Sequence, residues 1–160
     1  MQRAKFPRIK HAHPFTAIFA GALVAGAALE AFLLIANPLL QHTFSPIEVL
    51  QGDAANVLGR AAFSQGAASA LAGLLLHFLV SIVWATLYVF GLGMTRAAEL
   101  HPAVGGTIFG VIVWFAMTFI VLPLGAGPHL EVDALSILVG VFAHVVCFGI
   151  PLGLVVSRVE

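Results

Sequence analysis

Four long apolar stretches dominate the chain, at about Phe15 to Leu40, Ala67 to Leu92, Pro102 to Leu122 and Ala134 to Val156. Each is near or above the ~20 residues that a helix needs to cross a bilayer. The predicted fold class is therefore all-α, an integral membrane four-helix bundle. Residues 15–160 form one domain, preceded by a basic segment at 1–14.

The connection from Gln41 to Gly66 is too polar to span, yet it has a pattern of its own. Ser45-Pro46-Ile47-Glu48 places a capping serine before a proline at the first helical position and a glutamate at the third, a combination that satisfies amides left free at a helix start. A short helix is expected over 46–58. Its apolar residues Ile47, Leu50, Ala54, Val57 and Leu58 recur at helical spacing, while Glu48, Gln51, Asp53 and Asn56 take other directions. This predicts a short amphipathic helix in the first outer loop, lying over the bundle as a lid.

Composition agrees with the pattern, with 61% hydrophobic and only 9% charged residues. Charge adds orientation. Arg3, Lys5, Arg8 and Lys10 precede the first span, Arg96 lies between the second and third, and Arg158 closes the chain, whereas Arg60 alone is on the other side. The excess of basic residues marks the cytoplasmic face, so both termini are expected there. Glu48, Asp53, Glu131 and Asp133 fall on the opposite face. The first span is too long, and Asn37-Pro38 too poor a cleavage site, for a signal peptide, so that span is read as retained.

Cys147 is the single cysteine, which excludes an intramolecular disulfide and a structural thiolate cluster. The sequence has no phosphate-cradling glycine loop and no nucleophile elbow, so soluble enzyme chemistry and nucleic-acid binding find no support. A membrane metal centre can activate water, but no motif points to a lipid substrate, and the chain does not read as an enzyme.

Candidate chemistry lies inside the spans. Counted from the outer helix ends, Glu30 lies ten positions before Leu40, His77 ten after Ala67 and His144 ten after Ala134. At 1.5 Å per residue, all three sit roughly 15 Å deep. Residues three and four away share a helix face. Glu30 thus lies in line with Gly26 and Ala22, His77 with Ser69, Gly73 and Ser81, and His144 with Ser136, Gly140 and Cys147. The third span offers Thr107, Gly110, Trp114 and Thr118 along one line, with Met117 beside it. Glycines four apart, Gly106 with Gly110 and Gly149 with Gly153, suit close helix contact in lipid.

Intramembrane ionisable groups are expensive and are functional sites by default. Glu30, His77 and His144 are the candidate metal or proton site, supported by Cys147, Met117, Ser81, Thr118 and Trp114. Two imidazoles and a carboxylate suit zinc or non-haem iron, and an inward Cys147 or Met117 would favour copper. His77 and His144 alone are also the pattern of a bis-histidine haem b electron carrier. A third reading is an accessory or assembly subunit of a larger membrane complex or a homo-oligomer, in which the polar groups only lock helices together. Among other histidines, His11 and His13 form a cytoplasmic pair, and His42 and His129 lie on the outer side near acidic residues. Tyr88 and Trp84 read as anchors or interior packing, and the thirteen phenylalanines as lipid-facing filler.

Val49-Leu50-Gln51, Leu76-His77-Phe78, Val121-Leu122-Pro123-Leu124 and His144 followed by Gly149-Ile150-Pro151 resemble a family of small, uncharacterised bacterial four-span membrane proteins. An acidic residue in the first span, here Glu30, also fits. The resemblance covers most of the chain. It implies a multi-pass protein of the bacterial inner membrane and no defined activity.

Overall fold

In the computed structural model, the described residues are 13–93, 100–128 and 133–159. The basic segment with His11, the loop holding Arg96, and His129 and Glu131 lie outside them. Among the described residues there are five principal helices and no strand. They are α1 Pro14–Gln41, α2 Pro46–Leu58, α3 Gly66–Gly93, α4 Pro102–Leu124 and α5 Ala134–Val156. All but α2 are long and apolar enough to cross a membrane. The chain is an all-α four-helix bundle with an additional short helix between α1 and α3.

Helix α1 packs against α3 on one side and α5 on the other, and α5 packs against α4. The core they share combines small residues, with Ala17, Ala22, Ala25, Ala85 and Ala143 essentially inaccessible, and large ones, among them Leu29, Val113, Phe148 and Leu152. Many other large apolar side chains point outward, among them Leu23, Leu75, Leu79, Ile112 and Leu138. Outward leucines suit lipid, whose tails are as apolar as leucine, and close packing or polar contact favours helix association there. A Cβ on Gly106 or Gly149 would overlap the backbone of the opposite glycine, and one on Gly110 would meet the His144 carbonyl. Gly149 of α5 therefore faces both Gly106 and Gly110 of α4, while Gly153 lies against the Pro102 carbonyl.

The phenylalanines divide between lipid and interior. Phe15, Phe19, Phe90 and Phe115 are exposed, but Phe148 and Phe109 are buried, so the reading of all thirteen as lipid-facing does not hold. Phe109 receives Tyr88 and Trp84 edge-on, at centroid distances of 5.0 and 6.2 Å. Aromatic side chains thereby fill the space between α3 and α4 where no glycine brings the backbones together.

Three segments widen into π-helical turns, Asn37–Gln41, Met117–Val121 and Ala143–Gly149. Pro38 lies within the first, and Pro123 and Pro151 stand two residues beyond the ends of the second and third. A proline lacks the N–H that would close the preceding α-turn, and a wider turn accommodates the freed carbonyl. The fourth span is altered in this way along the stretch that carries His144.

Candidate cation site

Helix α2 positions the site. The Glu48 carboxylate accepts hydrogen bonds from the Ser45 amide at 2.8 Å and the Ser45 hydroxyl at 2.6 Å, which fixes the helix start. These bonds hold the Glu48 pKa below the usual carboxylate value. Further along, a Cβ on Gly73 of α3 would overlap the Leu50 carbonyl, so α2 lies directly on the α3 backbone at that point. The Gln51 side chain donates to the Gly66 carbonyl at 3.0 Å, and the Ala126 amide, beyond α4, donates to the Asn56 carbonyl at 2.9 Å. The helix is bound into the end of the bundle.

Its faces differ from the sequence expectation. Gln51 is buried with Val49, Ala54 and Ala55, while Ile47, Val57 and Leu58 are exposed. Polar and small residues face the protein because α2 is packed among spanning helices, whereas a helix resting on water would bury its large apolar side chains. Asp53, assigned from the sequence only to an outer acidic face, consequently turns toward the spans.

Register does the rest. The Leu50–Ala54 turn of α2 rests on Gly73, whose added Cβ would also come 3.0 Å from the Ala54 amide; Asp53 belongs to that turn, and His77 stands one helical turn from Gly73 along α3. The His77 Nδ1 lies 3.2 Å from Glu30 Oε2 and 3.7 Å from Asp53 Oδ2. One donor atom from each of the three residues fits within a mutual separation of 4.8 Å. The Glu30 and His77 side chains are only 4% and 9% accessible, while Asp53 retains 32%. Burial and the neighbouring Glu30 carboxylate push the Asp53 carboxyl well above its ordinary range.

The other ring nitrogen of His77, Nε2, is 2.9 Å from the Gly26 carbonyl oxygen of α1. A carbonyl only accepts, so Nε2 carries the proton and donates, which directs Nδ1 at the two carboxylates. Gly26 permits this approach, because a Cβ there would stand 2.8 Å from the Ser81 hydroxyl and 3.3 Å from the Phe78 ring. Both Glu30 oxygens and Asp53 Oδ2 are buried without a hydrogen-bond donor.

The remaining sequence candidates are distributed around this group. His144 is half-buried, and its Nδ1 donates to the Gly140 carbonyl of its own helix at 2.8 Å. It is not among the three converging residues. Trp114 sits over Gly140, whose added Cβ would lie 2.7 Å from the indole nitrogen. Met117 and the free thiol of Cys147 pack against the apolar core, Thr118 is half-buried, and Ser81 is buried beside Gly26. Asp53 is the residue that sequence reasoning missed. Its signal was the position next to Ala54 on a helix whose small residues, as in the spans, mark the packed face.

No protein-family model matches the chain, and neither a curated protein nor a solved structure matches it.

Proposed function

We propose that this protein holds a cation, a transition-metal ion or a proton, between Glu30, Asp53 and His77, and serves the transport or homeostasis of that ion. One observation carries the reading: Nδ1 of a histidine whose Nε2 is committed to the Gly26 carbonyl faces two carboxylate oxygens. Three electron-pair donors gathered in a buried place repel one another unless a positive centre lies between them. An ionised acid in a spanning helix costs about 3 kcal/mol on insertion scales, so an unneutralised pair of acids has no structural advantage that apolar residues would lack.

The same geometry gives little support to haem. A bis-histidine haem needs His77 and His144 on one iron, and His144 is not among the converging residues and turns its Nδ1 to the Gly140 carbonyl of its own helix. The setting proposed is the bacterial inner membrane with both termini cytoplasmic, supported by the distribution of arginine and lysine and by the resemblance to the bacterial four-span family. Helix α2, with Asp53, then lies toward the outer side.

The test is elemental mass spectrometry of the protein purified in mild detergent, with His77→Ala and Asp53→Asn prepared in parallel. About one metal ion per chain, lost in both variants, is the expected result for a metal. If no metal is present, infrared spectroscopy should show a protonated-carboxyl band that disappears in Glu30→Gln or Asp53→Asn. Absence of both signals overturns the reading.

A further inference from the structure

The cation reading leaves open which positive charge the site is built for, and charge, distance and donor type converge on one class. Charge comes first. Glu30 and Asp53 contribute two negative charges when ionised, and a neutral His77 contributes none. One divalent ion brings the total to zero, whereas one proton or one sodium ion leaves a net negative charge beside buried oxygens. In a low-dielectric interior an uncompensated charge is costly, so the buried group is neutralised by one divalent ion or by two protons, and distance has to separate these.

Distance agrees. Zinc and similar ions bind histidine nitrogen and carboxylate oxygen at about 2.0–2.2 Å in tetrahedral array, which separates neighbouring donors by about 3.4 Å. The observed separations from His77 Nδ1 are 3.2 Å to Glu30 and 3.7 Å to Asp53, and donor atoms of all three residues lie within 4.8 Å of one another, a spread that a bound ion would draw in. A proton fits less well. Although Nδ1 and Oε2 are close, neither Glu30 oxygen accepts a hydrogen bond, so an N–H at Nδ1 is not aligned with the carboxylate.

Donor type narrows the class. One imidazole with two carboxylates suits a borderline divalent ion such as zinc, iron(II) or manganese(II), while copper(I) selects thiolate and thioether, and magnesium prefers oxygen and retained water. The chain's single thiol, Cys147, is not among the converging donors. The Gly26 carbonyl completes the arrangement usual for a metal-bound histidine, in which the distal nitrogen donates to a backbone carbonyl and so fixes ring orientation. Glu30, only 3% exposed and without a hydrogen-bond donor to either oxygen, supplies an independent sign that a ligand belongs there.

We infer that Nδ1 of His77, Oε2 of Glu30 and Oδ2 of Asp53 form a three-ligand site for one borderline divalent metal ion, with a fourth position left to water. The inference rests on the cation reading above and specifies its ion. It also makes α2 part of the site, since the ion would join α2 to α1 and α3.

The experiment uses the full chain, stripped of metal in detergent and titrated separately with zinc, cobalt(II), magnesium and copper(I) by calorimetry. Cobalt visible absorption reports the geometry. The expected result is one zinc or cobalt per chain, tetrahedral cobalt bands, and magnesium at least about 100-fold weaker. Asp53→Asn and Glu30→Gln, checked for fold by circular dichroism, should each weaken zinc by about 10-fold or more. Tightest binding of copper(I), or zinc binding that survives both substitutions unchanged, overturns the inference. If no divalent ion binds but the infrared carboxyl band is found, the divalent inference fails and the cation reading stands on the proton. If neither is found, both fall.

Discussion

Glu30 is the residue on which the chemistry turns. A carboxylate that is 3% exposed, with both oxygens lacking a donor, destabilises a bundle that has no cation to neutralise it. Glu30→Gln should therefore raise the thermal midpoint of metal-stripped protein, by an amount corresponding to about 1–3 kcal/mol, while reducing the further rise that zinc gives the native chain. Differential scanning fluorimetry with and without zinc measures both effects. A structural ion pair with His77 would behave oppositely, and the variant would be less stable with or without metal. Gly26 acts at the same scale through its backbone, since its carbonyl orients His77 and its missing side chain leaves room for Ser81 and Phe78.

At the scale of elements, α2 decides whether the site exists. Its contact with α3 depends on Gly73, where a methyl group would overlap the Leu50 carbonyl. Backbone cannot yield as a flexible side chain does, so Gly73→Ala should lift α2 away at a cost of about 1–3 kcal/mol. The expected readout is faster hydrogen exchange confined to α2 and its flanks, together with zinc affinity reduced by about 10-fold or more through displacement of Asp53. Unchanged exchange in α2 would show that the contact is not needed. The start of α2 responds to acid. The folded pKa of Glu48 lies below its ordinary value of 4.5 because Ser45 donates to it. A depressed folded pKa contributes stability that is present above the unfolded value and lost as pH falls through the folded one. Amide exchange at the first turn of α2 should accordingly accelerate as pH is lowered below about 4.5, after correction for intrinsic rates, and Ser45→Ala, which deletes the hydroxyl and keeps the amide donor, should weaken that dependence.

The whole molecule combines two ways of packing in lipid. Between α4 and α5, opposed glycines bring backbone against backbone, while α3 meets α4 through Tyr88, Trp84 and Phe109. Helix α1 is central, touching both α3 and α5, and it carries Glu30 and Gly26 on the side that meets α3. The three site residues accordingly come from three helices, and they meet only when α1, α2 and α3 are packed together. Asp53 is their most accessible member, which places the opening of the site on the side of α2.

The sequence by itself determined the helices, because hydrophobic length, capping residues and prolines act over a few residues. The spans and α2 fall within a residue or two of the positions that hydropathy and Ser45-Pro46-Ile47-Glu48 predict. It also singled out Glu30 and His77, since an ionisable residue in an apolar run is conspicuous without any structure. Their pairing at 3.2 Å was a matter of helix packing, although matched depth made it accessible to counting. Asp53 was not legible. It lies in a polar loop segment where acids are common, and only the Leu50–Gly73 contact, between residues 23 positions apart, carries it to His77. The tertiary structure likewise decided that His144 turns its Nδ1 to its own helix and that Gln51 faces inward. Periodicity fixes which residues share a face, but the neighbour that covers that face, protein or lipid, is chosen only when the helices assemble.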